Sequence, residues 1–351
     1  MTKPPLSRLN RRQFLAAGSA AAAVGALGFP HIAQAQATKV MFTCDFRMYG
    51  ETAPWFYGKD LGLFEDLGID ATVDGSSGSV DAIKRVASGA YDFGCADLNS
   101  LVEFAAQQPD IAPKMIMVLF ERPAQSIISL KSKGIDSLAA LKGKRLGVTS
   151  TDGGSRIFPS LLRYNEVDGS DIERVVTTPP LRDALLLQDQ ADAVIGFDYT
   201  TTLNLMSNGI AREDIEILPF ADYGFNFYAN GLIASQEQIE KNPELVKRIA
   251  LAAARTWLAS LADPDATIAA IKQRDDLIDT ELETTRLHWV LDEHVFTPEF
   301  REKGLGTLEP DRLARGVKTV AEGLDLPRTP EVAEVYDGSF LPPLSERQPN
   351  I

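Results

Sequence analysis

From Lys39 onward, short apolar runs alternate with amphipathic stretches, and this alternation constrains the fold more than any other feature of the chain. Val40–Cys44, Ile69–Val73, Tyr91–Cys95 and Met115–Leu119 read as strands, parted by helices over Ala53–Lys59, Val80–Ser88 and Leu98–Gln107. Strands separated by helices of this length predict a parallel, doubly wound sheet, so the fold class is α/β. A second set opens near Gln125. Strands are expected over Ile127–Leu130, Arg145–Thr149, Val175–Thr177, Ala193–Ile195 and Ile215–Leu218. Helices are expected over Leu138–Leu141, Arg156–Tyr164, Leu181–Leu187 and Thr201–Ser207. Beyond about Glu237 the pattern is helical, and Asn242-Pro243-Glu244 reads as an N-cap with proline at the first helical position.

The two sets echo each other. "SVDAIKRVASGAYDFGCADLNSL" and "LRDALLLQDQADAVIGFDYTTTL" each run helix, turn, short strand, and then an acid before a polar helix start. In open parallel sheets, ligands sit outside the carboxyl ends of the strands, so the residues that follow each strand are the candidate site. The first strand is followed by Asp45 and Phe46, with Trp55 close behind; the second by "DGSSGS", with Ser76 and Ser77; the third by Asp97. In the second set, "TSTDGGSR" supplies Gly154, Ser155 and Arg156, and "GFDYTTT" supplies Phe197, Asp198 and Tyr199. Both glycine-rich loops precede a helix start, where exposed N–H groups can cradle an anion or another acceptor-rich solute. Three aspartates, Asp45, Asp97 and Asp198, suit an amino-bearing ligand instead, and each can equally cap a helix. The stretch "ADYGFNFYANGLIAS" adds Tyr223, Asn226 and Tyr228, rings and an amide with polar tips.

The chain of 351 residues carries a formal charge of −14, with no basic run beyond its first dozen residues, which excludes a protein that tracks nucleic-acid phosphates. Residues 1–35 have the order of a secretory signal: Lys3, Arg8, Arg11 and Arg12, then an Ala/Gly-rich middle, then Ala33 and Ala35 flanking Gln34, with cleavage expected after Ala35. Arg11-Arg12 followed by Gln13, Phe14 and Leu15 matches the twin-arginine export signal, and places the mature protein, of net charge −18, in the periplasm. Cys44 and Cys95 are the mature cysteines; a disulfide and two buried thiols are both open.

Catalytic motifs are absent from the sequence. There is no Gly-x-Ser-x-Gly elbow, no phosphate-binding loop and no Cys/His metal spacing, so no cofactor or metal is expected. His288 and His294 lie six apart in the C-terminal helical part and away from the expected cleft.

The segments "GKDLGLFEDLGIDATV", "ASGAYDFGCAD", "DSLAALKGKRLGV", "QADAVIGFDYTTTLNL" and "NPELVKRIALAAARTWLAS", in this order, carry a resemblance that covers nearly all of the mature chain. It resembles the periplasmic solute-binding proteins of ABC importers in the nitrate, taurine and alkanesulfonate group, in the branch similar to thiamine-pyrimidine synthase. The resemblance implies a type II periplasmic-binding fold of two lobes, one of residues 38–124 and 225–351 and the other of 125–224, closing on a small molecule held between them. It implies a monomer whose partner is an ABC transporter permease in the inner membrane. It also implies that an aromatic after the first strand stacks on the ligand, which is Phe46 here. Relatives carry Trp-x-Pro-Asn at that point, and this chain has "CDFRMYG". The alternative is an enzyme like the pyrimidine synthase itself, for which the chain lacks the cysteine-rich run.

Overall fold

The structure is a computed structural model, and it describes residues 37–150 and 152–349. The expected export signal lies outside the described residues.

Among the described residues, ten strands form two five-stranded sheets. The first sheet has the order β2-β1-β3-β10-β4, with β1 at Thr38–Thr43, β2 at Ile69–Asp74, β3 at Phe93–Asp97, β4 at Lys114–Val118 and β10 at Asn230–Ala234. The second has the order β7-β6-β8-β5-β9, with β5 at Gln125–Leu130, β6 at Arg145–Thr149, β7 at Glu173–Thr177, β8 at Ala193–Phe197 and β9 at Ile215–Pro219. The two orders are the same pattern, and β3 and β8, the strands of the sequence echo, hold the same place in it. The sheets are mixed rather than all parallel. β10 runs antiparallel to both β3 and β4, and β5 antiparallel to both β8 and β9. Each of these two strands directly follows a passage of the chain from one sheet to the other, and that passage reverses its direction. β10 is the strand that the apolar pattern does not announce.

Helices cover the sheets. α1 (Ala53–Asp60), α2 (Ser79–Ala87) and α3 (Leu98–Gln107) belong to the first set; α4 (Gly153–Tyr164), α5 (Arg182–Leu187) and α6 (Asp198–Ser207) to the second. The expected helix at Leu138–Leu141 is a single 3₁₀ turn, Ala139–Leu141. The C-terminal part contributes α7 (Gln236–Lys241), α8 (Pro243–Ala262), α9 (Pro264–Lys272), α10 (Thr280–Trp289), α11 (Pro298–Lys303) and α12 (Pro310–Gly323). A π-helical turn, Val290–Val295, continues α10. Pro243 opens α8, as the sequence suggests, but the Asn242 side chain does not cap it and donates to Gln238 Oε1 at 2.9 Å instead.

The core of the first sheet is aromatic. Trp55 is 1% exposed and packs on Phe42 at 4.5 Å and edge-on to Trp257 of α8 at 6.1 Å. An aromatic at this point is thus required by the packing of α1 against α8, and Trp55 does not reach the cleft. Cys44 and Cys95 are both buried free thiols, and burial pushes each well above its ordinary range.

Candidate functional site

The segments that follow β1 and β2 in the first sheet and β6, β7 and β8 in the second face one cleft of about 400 Å³, its mouth included. From the first sheet come Asp45 and Phe46, which follow β1, and the Ser77-Gly78-Ser79 turn between β2 and α2. The two loops are tied by a hydrogen bond from Ser76 N–H to the Phe46 carbonyl at 3.0 Å. Gly75 lets the two loops approach: a Cβ there would stand 3.1 Å from that same carbonyl oxygen, tighter than an ordinary van der Waals contact. From the second sheet come Asp152 and Gly153 at the start of α4, Pro179 and Arg182 at the start of α5, and Phe197 and Thr200 around the start of α6. One phenyl ring is therefore supplied by each sheet.

Both glycine-rich loops fill part of their own N–H groups, while α2 opens at Ser79 without a side-chain cap. At the start of α4, Asp152 Oδ1 accepts from Gly154 N–H at 2.6 Å and Ser155 N–H at 3.2 Å, so the helix caps itself. In "DGSSGS", Ser77 N–H and Oγ donate to Asp81, and Gly78 N–H donates to Ser76 Oγ. The positive charge in the cleft is neutralised by its neighbours. Arg182 is 4% exposed and donates to Asp152 at 3.2 Å and Asp183 at 3.0 Å.

The carboxylates divide by environment. Asp45 is pushed up to about 6 by burial, against its own backbone N–H and the Asn230 amide, with the charge of Asp97 adding to the rise. Burial also raises Asp97, which caps α3 through Ser100 N–H at 3.0 Å and accepts from Gln125 Nε2 at 2.8 Å. Asp152 is raised by burial as well, with the Arg182 charge opposing it. Behind the wall of the cleft, Arg286 is fully buried between Glu283, at 2.8 Å, and Glu51, at 3.7 Å. Burial raises Glu51 to about 8.

Of the residues singled out from sequence, Asp45, Phe46, Ser77 and Phe197 line the cleft. Asp97 does not line it: it is wholly buried beneath Gly153, where a Cβ would stand 2.9 Å from Asp97 Oδ1. The hydroxyl of Ser76 closes its own loop, and Ser155 Oγ accepts from Thr149 N–H at 3.1 Å. Gly154 stands in the first turn of α4, over Gln125. Arg156 pairs with Glu103 and lines a separate polar recess.

The remaining residues lie elsewhere. Asp198 faces His294, with Nε2 3.1 Å from Oδ1, while Nδ1 lies 3.2 Å from the Arg122 carbonyl oxygen. The sequence places the histidines far from these acids; the π-helical turn brings one back. Tyr199 is wholly buried against Phe197 and His294. The third aromatic group is structural. Asn165 Nδ2 donates to the Tyr223 carbonyl, Arg312 donates to Asn226 Oδ1 at 3.1 Å, and Tyr228 is fully buried beneath the Arg312 guanidinium with its hydroxyl accepting from Glu309 N–H at 2.8 Å. Arg182, Asp152, Pro179, Ser79 and Thr200 are cleft residues that sequence reasoning did not single out. Their signal was weak, because Arg182 reads as the exposed face of a helix. Among the described residues no group of three or more His, Cys, Asp or Glu side chains is placed to hold a metal ion, and no helix is long and apolar enough to cross a membrane.

Comparison with known proteins matches residues 50–267 to a family model described as NMT1/THI5 like. The riboflavin-binding protein RibY of Chloroflexus aurantiacus is 26% identical over 217 residues, 61% of this chain and 60% of that protein. The 4-amino-5-hydroxymethyl-2-methylpyrimidine phosphate synthase of Schizosaccharomyces pombe is 24% identical over 235 residues, 64% of this chain and 66% of the enzyme. The chain thus spans less than two thirds of the length of either. Among solved structures, the periplasmic aliphatic sulphonate binding protein SsuA from Escherichia coli superimposes with a TM-score of 0.66 at 13% identity, over 85% of this chain and 96% of that one. That likeness identifies the fold as the one periplasmic binding proteins use.

Proposed function

We propose, on the premise that this chain belongs to the NMT1/THI5-like family, that it is a periplasmic solute-binding receptor. It captures one small molecule between two lobes, residues 38–124 with 225–351 and residues 125–224, and delivers it to the permease of an ABC transporter. It acts as a monomer, reaches the periplasm by the twin-arginine route, and converts nothing. The observation that carries this reading is the composition of the cleft: each sheet contributes a phenyl ring and an aspartate to the same space. A solute seated there is touched on both sides only when the lobes are shut, which couples binding to hinge closure. The functions that RibY and SsuA are named for, riboflavin binding and sulphonate binding, agree with a receptor.

The second reading, a pyrimidine-synthase-like enzyme, is favoured by several relatives at 23–24% identity that are named as pyrimidine phosphate synthases. Against it, the cleft-lining residues include no lysine, histidine or cysteine. Thermal shift of the purified protein against pyrimidines, flavins, sulfonates, aromatic acids and amines separates the two, because a ligand that binds the native state raises the midpoint with the logarithm of its concentration over Kd. The receptor reading expects one class to bind at a one-to-one ratio and to be recovered unchanged. Turnover of the bound solute, or a flat response to the whole panel, overturns it.

A further inference from the structure

Two strands occupy equivalent places in the two sheets, β5 and β10, and each begins with a carboxamide, Gln125 and Asn230. The pair are 1% and 2% exposed. Each side chain donates through its NH₂ to an aspartate: Gln125 Nε2 to Asp97 Oδ2 at 2.8 Å, and Asn230 Nδ2 to Asp45 Oδ2. A carboxylate only accepts, so the amides must turn their nitrogens to the acids and their oxygens away. Neither oxygen, Gln125 Oε1 or Asn230 Oδ1, has a hydrogen-bond partner among the described residues. A buried acceptor left without a donor is costly, and the one on Asn230 sits beside Asp45, which lines the cleft, so it calls for a donor from outside the chain.

The surroundings say what kind. Among the described residues no Lys, Arg or His side chain bonds to Asp45 or Asp97, and the positive charge that lines the cleft, Arg182, is already held by two aspartates. Several N–H groups of the glycine-rich loops are taken by the protein's own acceptors, Ser77 by Asp81 and Gly154 and Ser155 by Asp152. At the Asp45 side of the cleft the carboxylate and the Asn230 amide oxygen are acceptors that no cationic side chain of the described residues answers. We propose that the ligand is anchored by a nitrogen head group carrying at least two N–H donors, of the amidinium or ammonium class, bound by Asp45 and the Asn230 amide oxygen, with its flat body lying between Phe46 and Phe197. This deepens the receptor reading and rests on it. The elevated Asp45 carboxyl fits the same picture, since a bound cation would favour its ionised form.

Calorimetric titration with benzamidinium and with benzoate tests the head group directly, because the two share a shape and differ in offering only donors or only acceptors. Benzamidinium is expected to bind and benzoate not, and Asp45→Asn is expected to weaken benzamidinium at least tenfold without lowering the midpoint of the unliganded protein. Preference for benzoate, an equal response to both, including none, or an unchanged affinity in Asp45→Asn overturns the inference. The receptor reading is judged separately, by whether the metabolite panel yields an unconverted one-to-one ligand of any class.

Discussion

Replacing Glu51 with glutamine should make the protein more stable, by an amount that grows with pH. Glu51 sits at 5% side-chain exposure beside Arg286, and its carboxyl is raised from 4.5 to about 8 by burial, with the Arg286 charge opposing and the Glu283 charge adding. The folded state therefore keeps a proton that the unfolded state has released. Because the folded value lies above the unfolded one, this group's stabilisation is complete below pH 4.5 and is lost as the pH climbs toward 8. The interval between 4.5 and pH 7 is worth about 3 kcal/mol, and the full interval to 8 about 5 kcal/mol. Glutamine has nearly the shape of the protonated acid and has no such proton to lose. Glu51→Gln is expected to match the parent at pH 4, to exceed it by about 3 kcal/mol at pH 7, and to exceed it by about 5 kcal/mol at pH 8.5. Guanidinium unfolding followed by tryptophan fluorescence at the three pH values measures the gap, since Trp55 and Trp257 both lie in the core beside α1. A gap that does not widen with pH refutes the reasoning, because it would mean that Glu51 is ionised in the folded protein at neutral pH.

Two further outcomes follow, one from a contact at the passages between the sheets and one from a contact where the sheets meet. Arg312 of α12 reaches Glu121 just before β5 and the Asn226 segment just before β10, so it holds both passages between the sheets. Arg312→Met leaves Glu121 buried without its partner and should cost about 3–5 kcal/mol in denaturant unfolding; a loss below about 1 kcal/mol would show the pair to be dispensable. Gly153→Ala puts a methyl 2.9 Å from both Asp97 Oδ1 and Ser100 Oγ, where the second sheet meets the first. A loss of about 1–3 kcal/mol is expected, with a larger radius of gyration by small-angle scattering; an unchanged radius would show that the contact is relieved locally.

How far the sequence discloses this molecule depends on which forces act locally. The alternation of apolar runs is a local signal, and it locates nine of the ten strands and the echo that aligns β3 with β8. Strand direction is not in it, because an apolar run has the same composition read either way, and so the antiparallel β5 and β10 emerge only from the sheet. β10 was hidden further by the aromatic residues before it, which read as site candidates rather than as the approach to a strand. The cleft follows the same division. Asp45, Phe46, Ser77 and Phe197 were found by the rule that ligands gather at strand ends, which needs only the strands. Tyr228 could not be sorted that way, because what decides its role is a backbone N–H from Glu309, 81 residues on. Arg182 became a cleft residue through Asp152, 30 residues earlier, and Asp198 acquired His294 from 96 residues away.

The position of β10 fixes the order in which the molecule can be finished. The second sheet is complete in one uninterrupted piece of chain, from Gln125 to Pro219, and could pair all its strands as soon as that piece is made. The first sheet cannot. β3 and β4 never touch, and until residues 230–234 insert between them β4 has no partner strand in the sheet. A chain interrupted between the two would own the later half intact and the earlier half cut through the middle, so that the half synthesised first is the half assembled last.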